Sequence, residues 1–405
     1  MNTTPKSNRP HIAVFGKRNA GKSSLINALT QQEISIVSGT PGTTTDPVEK
    51  AYELQPIGPV VFIDTAGLDD AGDLGEKRIE KTYKVLNRTD LAIYIITQPN
   101  LDEFEKETIL QIIQKTKNTI IVINKCDILD ITNENKTKIS NQFKVPVFAV
   151  SCTKNIGIAE LLLQMAAYLQ NEPEPQLLEG IIKKDDLVIL VTPIDEQAPK
   201  GRMILPQVQT IRAVLDADAY ALTVKENNLE HIIKNIIKAK PAIVITDSQA
   251  FKIVDGVIPK DINLTSFSIL FARQKGKLEV YIEALKVIEN LKDNDKILIA
   301  ELCSHHAIGE DIGRVKIPNM LTKYTGKSLK FDIVSGKDYP KNLSQYSLII
   351  QCGGCMVNRQ LIVNRIEQAE TSNVPITNYG IILAFMSGIV ERAIKPVPTH
   401  QSFSQ

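Results

Sequence analysis

Short apolar runs alternate with amphipathic segments along the whole 405-residue chain. That alternation predicts an α/β fold with mainly parallel sheets, because strands covered by helices on both faces read as nearly continuous apolar runs. In the first part, His11–Phe15, Val60–Asp64, Leu91–Thr97, Thr119–Asn124 and Val147–Ser151 predict strands. Helical patterns cover Ser23–Leu29, Leu74–Leu86 and Gly157–Gln170. A second series has strands at Leu187–Val191, Ala219–Val224 and Ala242–Thr246, helices at Leu205–Leu215 and Asn228–Lys238, and a loop at Gly201–Arg202. After a turn around Val257–Asn263 a third series begins. Here Phe267–Phe271, Lys296–Leu302, Leu329–Val334 and Tyr346–Gln351 are strand-like, and Leu278–Leu291 and Asn358–Ala369 are helical. No internal repeat is visible.

The stretch Asn171–Gln176, with two prolines among acidic and polar residues, is the clearest linker. The expected division is a flexible tail over 1–10, a first domain over 11–170, a linker over 171–180, a middle α/β domain over 181–263 and a last domain over 264–405. This length exceeds what one hydrophobic core organises, in keeping with several domains.

Composition narrows the class. Hydrophobic residues make up 43% and charged residues 23% of the chain, as in soluble globular proteins. A net charge of +1 gives no global field to recruit nucleic acid or an anionic membrane. Tryptophan is absent and aromatics reach only 5%, so stacking platforms for single strands are scarce. No apolar run is long enough to span a bilayer, and the N-terminal stretch lacks the apolar centre of a signal peptide. Five cysteines, an odd and small number, argue for a reducing compartment. The expectation is a cytoplasmic protein with neither nucleic acid nor membrane as partner.

Four motifs carry chemistry in the first domain. Gly16-Lys17-Arg18-Asn19-Ala20-Gly21-Lys22-Ser23 fits the phosphate-loop pattern G-x-x-x-x-G-K-[ST] and lies between a predicted strand and a helix. Backbone N–H groups of such a turn, including those of Ala20 and Ser24, converge on phosphate oxygens with the help of the helix dipole. Lys22 then reaches the β- and γ-phosphates, and Ser23 ligates magnesium. Asp64-Thr65-Ala66-Gly67 ends a second apolar strand, placing Asp64 to hold magnesium through water and the Gly67 N–H to sense the γ-phosphate. Asn124-Lys125-Cys126-Asp127 ends a third, and the Asp127 carboxylate can accept from both N1 and N2 of guanine, a donor pair that adenine lacks. Ser151-Cys152-Thr153-Lys154 ends a fourth, where backbone amides can bind the guanine O6. In a parallel sheet these four strand ends share one edge, where such folds bind ligands. The motifs therefore point to GTP and GDP with Mg2+, and to hydrolysis of GTP.

Their order and wording resemble the translation-factor-class GTPases, in particular the tRNA-modification GTPase and Era-like branch. Gly42-Thr43-Thr44-Thr45-Asp46 resembles that branch's first switch loop, which makes Thr44 the magnesium-sensing threonine. The residue after Gly67 is Leu68, so no side chain there can orient the attacking water, and another group must offset the charge developing on the phosphoryl group. In relatives with an asparagine at the position of Asn19, a potassium ion held by that asparagine and the first switch does so. The resemblance thus implies a K+ site at Asn19, in place of a polar residue that merely caps its own turn.

The remaining chemistry lies near the C-terminal end. Cys126 and Cys152 fall at variable motif positions and need no function. Cys303 and His305 follow one predicted strand, and Cys352 and Cys355 follow another as Cys-Gly-Gly-Cys, giving C-x-H…C-x-x-C. Strands of one parallel sheet would bring all three thiols to one edge. Thiols without a ligand and a redox disulfide are the plainer readings. A metal is favoured: Cys₃His suits tetrahedral zinc, and three cysteines with a variable fourth ligand suit a 4Fe-4S cluster, and spacing leaves the two open.

The combination over essentially the whole chain resembles the FeFe-hydrogenase maturation GTPases, the HydF family. That resemblance implies a 4Fe-4S cluster held by Cys303, Cys352 and Cys355, and a scaffold that receives a transient 2Fe precursor from radical-SAM maturases and delivers it to apo-FeFe-hydrogenase. It also implies a middle domain that mediates a homodimer or higher homo-oligomer. The family pattern has histidine where this chain has Gln351, which leaves His305, Glu310, Asp311 or water as fourth ligand, with His306 a loop residue nearby. The competing readings are a GTPase with a structural zinc and a tRNA- or ribosome-associated GTPase.

Overall fold

The computed structural model describes residues 5–31, 47–65, 67–68, 84–170, 176–193, 203–302, 311–336 and 339–398. The chain divides into two compact units, Met1–Pro173 with Asn358–Leu361, and Glu174–Val357 with Ile362–Gln405.

The first unit holds a six-stranded sheet made from β1 (His11–Gly16), β2 (Val48–Leu54), β3 (Gly58–Asp64), β4 (Leu91–Ile96), β5 (Thr119–Ile123) and β6 (Val147–Ala149). Their spatial order is β2-β3-β1-β4-β5-β6, and only β2 runs antiparallel to its neighbour. The apolar runs split by period two into two cores. Ile12, Val14, Ile93 and Ile95 face α1 (Lys22–Thr30), whereas Ala13, Phe15, Tyr94 and Ile96 face the helices α2 (Glu103–Lys115) and α3 (Asn133–Phe143). The helix α4 (Ile158–Gln170) adds Leu161 and Met165 to the first of these cores. Both α2 and α3 start with capping boxes, Asp102 with Glu105 and Thr132 with Asn135. Ahead of β1, Lys6–Asn8 forms a 3-10 turn with Ser7 and Arg9 buried. Within the stretch expected to be a flexible tail, Ser7 and Arg9 are thus packed, while Lys6 and Asn8 stay exposed. The helix expected over Leu74–Leu86 lies mostly outside the described residues.

The second unit contains two all-parallel sheets. One is built from β7 (Leu187–Val191), β8 (Tyr220–Val224), β9 (Ile243–Thr246) and β10 (Asn263–Ser266) in the order β10-β9-β7-β8. The other uses β11 (Lys296–Ala300), β12 (Lys330–Val334), β13 (Leu348–Gln351) and β14 (Ile376–Asn378) in the order β12-β11-β13-β14. Helices include α5 (Leu205–Asp216), α6 (Phe251–Val257), α7 (Phe267–Lys275) and α8 (Leu278–Glu283). Among the described residues no helix is long and apolar enough to cross a membrane.

Three elements differ from the sequence pattern. Phe267–Phe271 is helical and not a strand: the Ser266 side chain accepts from the Ile269 N–H as an N-cap, and Phe267, Ile269, Leu270, Phe271 and Ala272 are all buried. An apolar run buried on every side has no period by which helix and strand can be told apart. The strand comes just earlier, as β10, and belongs to the middle sheet, so that sheet extends past residue 263. Asn228–Lys238 is a 3-10 turn, one α-turn and a π-turn (Ile232–Ile236), and Leu278–Leu291 continues beyond α8 as a 3-10 helix (Ala284–Asn290).

Ile299 is fully buried at the centre of β11, so Ile299→Ala should destabilise this sheet by about 2–5 kcal/mol, read as a lower denaturation midpoint.

Candidate functional site

The phosphate loop follows directly from the end of β1. Gly16 has φ 145, and a Cβ there would overlap the Ile95 carbonyl of β4. Gly21 has φ 101, and a Cβ there would overlap the Asn124 side chain. Both positions therefore require glycine for backbone conformation and for close approach. Lys22 Nζ donates to the carbonyls of Gly16 (3.1 Å) and Lys17 (2.8 Å), which holds the ammonium over the loop's mouth. Ser23 and the exposed Ser24 open α1, whose first N–H groups have no intrahelical partner and can meet phosphate oxygens. Asn19 stands exposed on the rim with φ 60, a left-handed conformation that asparagine tolerates.

Beside the loop, Ser23 Oγ donates to Asp64 Oδ2 at 2.8 Å. The other oxygen, Asp64 Oδ1, is buried without a hydrogen-bond partner among the described residues. Burial raises the Asp64 pKa, while the Ser23 hydroxyl, Lys22 and Lys50 oppose the rise. A hydroxyl beside a carboxylate with one oxygen unspent is a donor set that fits a hard divalent cation. Thr65 Oγ1 donates to the Val14 carbonyl (2.7 Å) and ties the end of β3 to β1. Gly67 follows, half-buried, and Leu68 is 3% exposed within the core under the sheet. Thr44 and the loop Gly42–Asp46 lie outside the described residues.

Asn124 links the remaining motifs. Its Nδ2 donates to the Ala20 carbonyl at 3.0 Å, and its Oδ1 accepts from the Cys152 N–H at 3.3 Å. One buried amide thus joins the phosphate loop to the last motif. Lys125 has φ 65. Ser151 Oγ accepts from the Lys154 N–H (3.3 Å), and Lys154 Nζ lies 3.6 Å from Asp127 Oδ2. The Ser151 hydroxyl, followed by Lys154, holds the Asp127 carboxyl below the usual carboxylate range. Burial pushes the Cys152 thiol up to about 11 and raises that of Cys126, so both stay neutral. One contact was not legible from the motifs: Lys17 Nζ pairs with Asp102 and with Glu105 (3.4 Å), the two members of the α2 capping box. The D-x-x-E pattern of that box is visible in sequence, but its ionic link to the phosphate loop is not.

In the second unit β11 and β13 are parallel neighbours with Ala300 opposite Gln351. The Cys352 N–H continues the ladder to the Ala300 carbonyl (3.0 Å), and Cys352 Sγ accepts from the Leu302 N–H at 3.1 Å. Cys303 is the next residue along the chain, and with His305, His306 and Glu310 it lies outside the described residues. Cys352 and Cys355 are not joined in a disulfide. Gly354, with φ 64, gives the turn its shape, because a Cβ there would overlap Ile362. Burial raises the Cys355 thiol pKa, and Lys275 opposes the rise. Gln351 is 1% exposed, and its Nε2 donates to the Tyr281 hydroxyl. Asp311 Oδ1 accepts from the N–H groups of Gly313 (2.8 Å) and Arg314 (2.9 Å) as the cap of a π-turn (Ile312–Lys316). Among the described residues no group of three or more His, Cys, Asp or Glu could hold a metal ion.

Comparison with known proteins divides the chain in the same sense. Residues 11–125 match the family described as 50S ribosome-binding GTPase, residues 177–276 the hydrogen maturase F dimerization domain, and residues 279–396 the hydrogen maturase F tetramerization domain. The chain is 33% identical over 183 residues to the tRNA modification GTPase MnmE of Syntrophomonas wolfei, covering 45% of this chain and 38% of that protein. To the same protein of Carboxydothermus hydrogenoformans it is 43% identical over 118 residues, covering 29% of this chain and 25% of that protein. It thus spans well under half the length of these curated relatives. The solved G domain of the T. maritima FeoB iron transporter is 24% identical, covers 40% of this chain and 100% of that one, and has a TM-score of 0.33. Fold and site define a phosphate-loop GTPase domain followed by two parallel α/β domains. With more than half of its length matched by the two hydrogen maturase F domains, the chain belongs to the hydrogen maturase F family.

Two outcomes follow for the nucleotide site. Lys17→Gln removes a partly exposed ionic brace and should weaken GDP binding up to about fivefold in fluorescent-nucleotide titrations, the gap narrowing in high salt. Because the Asp127 pKa is depressed, its carboxylate persists as pH falls through the ordinary carboxylate range near ~4 and protonates only below it. The ratio of GDP to ADP affinity, in which the shared phosphate and magnesium contributions cancel, should therefore stay level between about pH 7 and 5. A fall centred within that window would remove Asp127 as the base acceptor.

Proposed function

We propose that this chain hydrolyses GTP and serves as an iron–sulfur scaffold, carrying a two-iron precursor from radical-SAM maturases to apo-FeFe-hydrogenase. The observation that carries the reading is the meeting of two strand ends: Cys352 Sγ touches the N–H of Leu302, whose next residue is Cys303. With Cys352 and Cys355 on a glycine turn and in no disulfide, the donor set is soft and suits a 4Fe-4S cluster held by Cys303, Cys352 and Cys355. Such a cluster, when bound, supplies an iron with an exchangeable fourth position. Gln351 is turned to Tyr281, and Asp311 is engaged as a helix cap, which leaves His305, Glu310 or water as the fourth ligand.

In the nucleotide domain Lys22 binds the β- and γ-phosphates, while Ala20, Gly21, Ser23 and Ser24 offer backbone N–H groups to them. Ser23, Asp64 and Thr44 hold Mg2+, which neutralises phosphate charge. The Gly67 N–H senses the γ-phosphate, Asp127 reads the guanine edge, and the Cys152 N–H faces O6. With Leu68 in the core, K+ at Asn19 takes the place of a charge-stabilising side chain. GTP acts as a switch of partner affinity, through whatever difference in its own affinity separates the two conformations. The hydrogen maturase F domains support a homodimer or higher homo-oligomer as the working unit.

Two experiments test this. Anaerobic reconstitution followed by iron counting should show loss of the cluster in Cys303→Ala, Cys352→Ala and Cys355→Ala separately. A normal iron content in any one rejects that thiol, and a colourless native chain with stoichiometric zinc rejects the iron reading. GTP hydrolysis should be at least about tenfold faster in potassium than in sodium, and equal rates would reject the role of Asn19.

A further inference from the structure

Lys275 closes α7, in a part of the chain that no motif marks, and is 5% exposed. Its Nζ donates to the Val357 carbonyl at 3.0 Å and lies 3.4 Å from the Gly354 carbonyl, so it grips the Cys-Gly-Gly-Cys turn on both sides of Cys355. The Phe271 ring, one turn earlier on the same helix, stands 5.7 Å from the ammonium. Two oxygens from one turn thus fix a buried cation beside the two thiols.

We infer that Lys275 is a positioning and charge-compensating residue for a thiolate-bound metal centre at Cys352 and Cys355, an inference that rests on the reading of this edge as a metal site. Thiols deprotonate when they bind metal, so loading the site adds negative charge on the turn that the ammonium grips. In a poorly solvated environment that attraction is much stronger than in water. A fixed positive charge favours the more negative, reduced state of an iron–sulfur centre, whose potential follows net charge and hydrogen bonding. The two carbonyl contacts add a mechanical role, because they hold the turn in the shape that Gly354 permits.

Substitution in the full chain separates the two parts of this role. Lys275→Gln keeps a donor for the carbonyls and removes the charge, Lys275→Met removes both, and Lys275→Arg keeps the charge. After anaerobic reconstitution, iron content and reduction potential are measured beside the native chain. Lys275→Gln should bind iron but show a more negative potential, Lys275→Met should in addition lose iron, and Lys275→Arg should stay close to native. A native potential in Lys275→Gln, or a shifted one in Lys275→Arg, overturns the inference. If the native chain takes up no iron, the iron reading fails by itself, and Zn2+ competition titrations decide the matter. Affinity should then fall about tenfold or more in Lys275→Gln, and unchanged affinity overturns the role of Lys275.

Discussion

The nucleotide half of this protein depends on one buried amide. Asn124, at the end of β5, donates to the phosphate loop at Ala20 and accepts from the last motif at Cys152. The contact works only because Gly21 has no Cβ to fill the space that the amide occupies. The phosphate loop and the last motif therefore share one joint, which ties separate strand ends together. Parallel pairing supplies the rest of the constraint by bringing every motif to the same edge.

Charge is distributed around that pocket with a consistent logic. Lys22 sits over carbonyl oxygens, which keep its ammonium in place without neutralising it. Asp64 spends one oxygen on Ser23 and keeps the other without a hydrogen-bond partner among the described residues. Asp127 is kept ionised by its neighbours, whereas the nearby thiols of Cys126 and Cys152 are kept neutral by burial. Carboxylates and thiols are thus assigned opposite roles by the environment alone.

The last sheet repeats the same device with different chemistry. Register between β11 and β13 aligns Ala300 with Gln351, so the residues that follow must meet at one rim. Gln351 itself is withdrawn from that rim by the Tyr281 hydroxyl, while Lys275 reaches it from a helix well before it in sequence. Cation and thiols come from two separate stretches of chain, and the glycine turn lies between the two thiols.

The sequence by itself determined the α/β class, the phosphate loop, the three companion motifs and a strand ahead of each C-terminal cysteine segment. Each of these is local: a run of apolar residues, a glycine at a forced turn, a carboxylate at a strand terminus. What only the tertiary structure decided is non-local or ambiguous in period. The helix at Phe267–Phe271 is apolar on every side, so burial and not pattern fixed its form. The edge strand β2, with mixed exposure, left no alternation to read. Lys17 meeting the α2 capping box, the Asn124 bridge and Lys275 under the cysteine turn join residues tens of positions apart. Such pairs carry no spacing rule, and packing alone brings them together.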